Sequence, residues 1–166
     1  MPRKKIITNY QLPTYKIHIQ IDESFSGDVS PKLLRAAARA ALKHQKAKSG
    51  SLSIVISGDK TLHDLNKKFL GHDYATDVLS FPSNDPASSY YGDIAISYPR
   101  ALEQSRHGGH TVKAELQLLT VHGVLHLLGH DHYTAKEKKI MWKAQSEILV
   151  ILKATSNSKR ANFKKT

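Results

Sequence analysis

The stretch His122-Gly123-Val124-Leu125-His126-Leu127-Leu128-Gly129-His130-Asp131-His132 carries four histidines, an aspartate and two glycines in one short run. An α-helix turns once in about 3.6 residues, so His122 and His126 lie one above the other on a single face and can present two imidazole nitrogens to one ion. Gly129 allows the left-handed backbone that ends a helix and swings the chain back over its last turn. Beyond that bend His130, Asp131 and His132 return toward the first two histidines, so a third ligand can come from the same segment. Three neutral imidazoles at roughly 2.0 to 2.1 Å leave zinc one open position for water, the arrangement of a catalytic rather than a structural site. Two histidines four apart on an apolar helix are commonly just a packed pair. The glycine three residues on and the histidine six on turn the reading toward a metal centre holding one Zn2+ ion.

His130 and His132 compete for the place of third ligand. The metzincin zinc proteases space their ligands as His122, His126, Gly129 and His132 stand here, which favours His132. Those proteases carry a glutamate after the first histidine as general base, whereas this chain has Gly123, which can move no proton. The spacing therefore supports the metal and not the peptidase mechanism.

The chain has 166 residues, enough for one domain with a core and short for two. We expect a basic N-terminal arm over 1–14, a single catalytic domain over 15–153 and a basic, disordered tail over 154–166. With no cysteine, neither a disulfide framework nor a thiolate zinc site is possible. No apolar run approaches a membrane span and the N-terminus lacks a signal-peptide core, so no membrane partner and a cytoplasmic location are expected. Net charge is +11. Arg3, Lys4, Lys5, Lys153, Lys159, Arg160, Lys164 and Lys165 contribute eight of these charges, leaving 17 bases against 14 acids in between. Basic arms of this kind suit nucleic acid.

Working outward from the histidine segment, Thr111 starts its helix, with Leu118, Val121, Leu125 and Leu128 as the expected buried face. Thr134 and Glu137 form a capping box for a final helix packed through Ile140, Met141, Ala144, Ile148 and Ile151. Upstream, Tyr15 to Asp22 and Ser51 to Ser57 alternate as strands, Val78 to Phe81 and Gly92 to Ser97 add two more, and the last two can pair antiparallel around the polar loop 83–91. Ser30 and Pro31 open a helix to about His44, whose Lys32, Arg35, Arg39, Lys43 and Lys46 form an outer basic stripe. A short helix after Gly58 and Asp59 turns Leu62, Leu65 and Phe69 inward and stops at Gly71. Ser97 and Pro99 cap another before Gly108. The expected fold is α+β, a mixed sheet of about four strands packed with about five helices, one of them a zinc-protease-like metal helix.

Thr76-Asp77-Val78-Leu79-Ser80-Phe81-Pro82, Gly92-Asp93-Ile94 and His122 to His132, in this order and spacing, resemble the three signature segments of the YbeY family of bacterial endoribonucleases, also called rRNA maturation factors. The likeness extends over roughly residues 15 to 152. It implies a zinc ion held by His122, His126 and His132, an RNA substrate and the small ribosomal subunit as partner. The implied activity is that of a metal-dependent single-strand endoribonuclease, a hydrolase of phosphodiester bonds, acting in rRNA processing (16S rRNA 3'-end maturation) and ribosome quality control. Two positions depart from the family pattern. Its tyrosine before the aspartate is His130 here, and its arginine before the glycine that ends the second helix is Leu70, which can neither contact phosphate nor stabilise charge at phosphorus. Lys67 and Lys68 stand nearby and can substitute in part.

Zinc at such a site polarises a phosphodiester oxygen or lowers the pKa of its water. No general base is evident from the residues, so no catalytic side chain is assigned. Glu115 and Asp131 are candidates to orient the imidazoles from behind, and Lys67, Lys68, Asp77 and Ser80 are candidates for the wall of the substrate cleft. The alternatives are a non-catalytic, ribosome-associated RNA-binding factor with a structural zinc, favoured by Leu70 and Gly123, and a zinc peptidase, favoured by the ligand spacing alone.

Overall fold

The computed structural model describes the backbone of residues 11–163 and the side chains of residues 11–157. Alternation of isoleucine with polar residues makes β1 (Tyr15–Ile21), which pairs in parallel with β2 (Gly50–Ser57). Next to β2, also in parallel, runs β4 (Tyr90–Ser97), and β3 (Val78–Pro82) closes the sheet antiparallel to it. The order across the sheet is β1-β2-β4-β3. The expected hairpin around the polar loop is the β3/β4 pair.

Five helices accompany the strands: α1 (Pro31–His44), α2 (Asp59–Leu70), α3 (Tyr98–Gly108), α4 (Val112–Leu127) and α5 (Ala135–Phe163). Their starts are locally encoded. Ser30, Ser97 and Thr111 each accept a hydrogen bond from the backbone N–H three residues on, satisfying a donor that the first turn leaves over. The Thr134 hydroxyl accepts from Glu137 N and the Glu137 carboxylate from Thr134 N, both at 3.1 Å, completing the expected box at α5.

Ile94 and Ile96 of β4 enter the main core with α1, α4 and α5, while Ala95 between them joins Leu62 and Leu79 in a second cluster with α2. Strand residues alternate in direction, so β4 is covered on both faces. Helix α4 lies innermost. Leu116, Leu119, Val121, Val124, Leu125 and Leu127 are all buried, whereas Leu118 and Leu128 of the expected face are only half-buried. A helix apolar all round is one packed on every side, and a single stripe could not describe it.

Three further expectations need correction. Phe69 does not turn inward; it is 57% exposed at the last turn of α2, where Asn66 takes the buried place beside Leu62. On α5, Met141, Ala144 and Ile148 pack into the core as expected, but Ile140 and Ile151 are about half exposed and Leu152 completes the contact. The polar segment expected as a tail from residue 154 stays helical to Phe163, as the last turns of α5. Most of the N-terminal arm, residues 1–10, lies outside the described residues. Among the described residues no helix is long and apolar enough to cross a membrane.

Candidate metal centre

His122 and His126 project from the last two turns of α4 toward a cleft, with their Nε2 atoms 3.0 Å apart. The chain leaves the helix through Gly129 at φ +94°, a left-handed conformation that favours glycine. That turn brings His132 back over the helix end. One nitrogen from each of His122, His126 and His132 lies within 4.8 Å of the others, and the three could hold a metal ion.

The reverse side of each buried ring is engaged. His126 Nδ1 donates to the His130 carbonyl at 2.9 Å, and His122 Nδ1 donates to Gln145 Oε1 of α5 at 3.0 Å. A carbonyl can only accept, so each neutral ring carries its proton on Nδ1 and turns a bare Nε2 lone pair to the cleft. The two Nε2 atoms meet at 3.0 Å in the cleft, close enough to share one ion. Burial, above all, holds both imidazoles below the ordinary histidine pKa, so a shared proton is disfavoured. Three imidazole nitrogens this close together form a donor set that suits zinc.

His130 is removed from the competition by tertiary structure. Its Nε2 lies 2.6 Å from Gln45 Oε1, at the end of α1, and its ring stands outside the cluster of the other three. What it contributes to the centre is its backbone carbonyl on His126. Neither Gln45 nor Gln145 was legible in advance, because a glutamine brought in from a remote helix has no sequence pattern.

The remaining candidates divide. Asp77 and Ser80 line the cleft of about 540 Å³ that holds the histidines, together with Leu70, Asp131 and Tyr133. The Ser80 hydroxyl donates to the Gly123 carbonyl at 3.2 Å, tying β3 to α4. Both Asp77 oxygens are engaged, one by Val78 N at 2.8 Å and the other by Gln104 Nε2 at 3.1 Å. Lys67 and Lys68 are not part of this lining: Lys67 reaches Asp73 at 3.8 Å and the Lys68 ammonium sits over the Phe69 ring. Glu115 does not orient a ligand. It is buried against His110, whose imidazole pairs with its carboxylate. Asp131 Oδ1 accepts from His132 N at 2.8 Å, shaping the turn rather than bonding a ring.

Gly123 has a packing reason. A Cβ placed there would stand 2.8 Å from Ile94 Cγ2 and 3.1 Å from Ile94 Cδ1, because α4 rests directly on β4. A glutamate after the first histidine has no room, so the base of a zinc peptidase is sterically as well as chemically absent.

Residues 16–153 match the family profile described as Endoribonuclease YbeY. The chain belongs to this family. Among similar proteins, the endoribonuclease YbeY of Chloroflexus aurantiacus is 43% identical over 148 residues, covering 83% of this chain and 96% of that protein. That of Carboxydothermus hydrogenoformans is 39% identical over 128 residues, covering 75% and 90%. The solution structure of TM1509 from Thermotoga maritima is similar in fold, with a TM-score of 0.61 at 25% identity, over 87% of this chain and 93% of that one.

Proposed function

We propose that the protein is a zinc-dependent, single-strand endoribonuclease of rRNA processing (16S rRNA 3'-end maturation) and ribosome quality control, with RNA and the small ribosomal subunit as its partners. The carrying observation is the cluster of His122, His126 and His132, with one nitrogen of each within 4.8 Å of the others, in an open cleft. Membership of an endoribonuclease family supplies the substrate class.

His122, His126 and His132 would hold a zinc ion, which would supply Lewis acidity and activate water near neutral pH. The chain's own residues do the rest. Gln145 and the His130 carbonyl lock the tautomer of two ligands and raise their basicity. Asp77 sits close enough to His122 to favour positive charge there. Its own oxygens are taken by Val78 N and Gln104, which leaves it an electrostatic part rather than a proton carrier. Asp131, beside the third ligand, lines the cleft and holds the His132 backbone N–H on one oxygen, which fixes the turn that carries that ligand.

A non-catalytic RNA-binding factor is favoured by one observation: Leu70, which stands where the family carries arginine, lines the cleft 49% exposed and offers no donor to a phosphate. Labelled rRNA incubated with the full chain, with and without chelator and alongside His126→Ala, separates the two. Cleavage lost under both treatments supports the enzyme. Binding of RNA by metal-loaded protein without cleavage supports the rival.

A further inference from the structure

A second groove, of about 620 Å³, runs between α1 and α5. Lys32, Arg35, Arg39 and Lys43 line it from α1, and Ile151 and Thr155 from α5. Spacings of three and four residues stack the four cations along one helix face. At a rise of about 1.5 Å per residue they extend over roughly 16 Å, several nucleotides of a single strand. Lys32, Arg39 and Lys43 are exposed, and among the described residues none of the four forms an ion pair. Like charges four apart on a helix destabilise it by a few tenths of a kcal/mol per pair, so the row has a cost that folding does not explain.

The sequence keeps carboxylates away from both walls. No Asp or Glu occurs between residues 29 and 50, and none after Glu147, while Lys153, Lys159, Arg160, Lys164 and Lys165 follow in the sequence. Glu147 closes one end of the groove on His44 at 2.7 Å and Lys143 at 2.7 Å. That end of the groove is tied to the histidine segment: His44 bonds Gln45 at 2.9 Å, Gln45 bonds His130 at 2.6 Å, and the His130 carbonyl bonds His126.

We propose that the α1/α5 groove is a phosphate track, binding the sugar-phosphate backbone of RNA outside the scissile position and delivering the strand to the histidine cleft. The occupant is a polyanion because the row is linear, has no ion-pair partner among the described residues and meets a carboxylate only where Glu147 closes one end, with Arg35 Nε also donating to the Ile17 carbonyl at 3.4 Å. A strand of RNA is the member of that class consistent with the reading of the chain as acting on RNA, on which the inference rests. Phosphate contacts of this kind set affinity and orientation and read no sequence.

The test measures binding apart from cleavage. Fluorescence anisotropy of the full chain with a single-stranded RNA of about 20 nucleotides, with and without chelator, gives Kd across a salt series. Arg39→Gln/Lys43→Gln is compared with Lys16→Gln/Lys113→Gln, which removes two exposed bases outside the groove and leaves the same net charge. The groove variant is expected to bind about ten-fold more weakly near 0.15 M salt, with the slope of log K against log salt reduced by about 1.4; the control stays within about two-fold. Thermal unfolding checks that both remain folded, and Lys32→Gln alone provides a milder step. Equal losses in the two double variants overturn the inference, as does tight binding to phosphatidylserine vesicles in place of RNA. RNA bound through the groove but never cleaved leaves the inference standing and sinks the proposed activity. RNA cleaved with groove and control variants binding alike does the reverse.

Discussion

Replacing Gly123 by alanine tests whether α4 is held against β4 as closely as the structure shows. In the middle of an open helix this change stabilises by about 1 kcal/mol, because glycine is a poor helix former. Here the new methyl would meet Ile94 Cγ2 at 2.8 Å, Cδ1 at 3.1 Å and Cγ1 at 3.3 Å, three atoms of a fully buried side chain. Rotating Ile94 replaces one of these contacts with another, so the backbone has to move; overpacking of this kind costs about 1–3 kcal/mol. The net expectation is a loss of about 1 kcal/mol. Ile94→Ala removes all three contacting atoms, and in that background Gly123→Ala should turn stabilising, giving a coupling energy of about 2 kcal/mol. Urea unfolding of the four proteins of this cycle, all with chelator so that metal does not add to stability, reads both numbers. A gain of about 1 kcal/mol for Gly123→Ala in the unaltered background, or strict additivity with Ile94→Ala, refutes the close approach and with it the steric reason for the missing peptidase base.

Gln145→Leu leaves the His122 Nδ1–H without its acceptor and should weaken zinc affinity about 10- to 100-fold in a competitive chelator titration while the fold persists. Gly129→Ala forces a Cβ into a φ of +94° and should cost about 1 kcal/mol or more in urea unfolding, with zinc affinity falling because the turn places His132. The His110 imidazole is held above its ordinary pKa, chiefly by the hydrogen bond to Glu115. A raised folded pKa stabilises fully below the unfolded value and is lost as pH rises through the folded one. The stability difference between the unaltered protein and His110→Ala should accordingly shrink from mildly acidic to alkaline pH, and a difference that grows instead contradicts the pairing.

Much of this protein was decided by its sequence alone, and the reason is locality. Cap bonds reach three residues, which is why Ser30, Ser97, Thr111 and Thr134 mark helix starts correctly. Alternation over a few residues marked the four strands, and the pairing of His122 with His126 follows from the pitch of one helix. Tertiary structure decided whatever depends on partners far along the chain. It left His132 clustered with His122 and His126 while bringing Gln45, 85 residues away, onto the His130 ring. It set the tautomer of His122 with Gln145 from another helix and turned Glu115 from a ligand's neighbour into the partner of His110. It laid α4 directly on the sheet, so that Gly123 is demanded by Ile94 of β4 and not by anything within the helix. Local bonds are written in spacing, whereas a contact between two distant segments exists only once the packing of the whole core has chosen which faces meet.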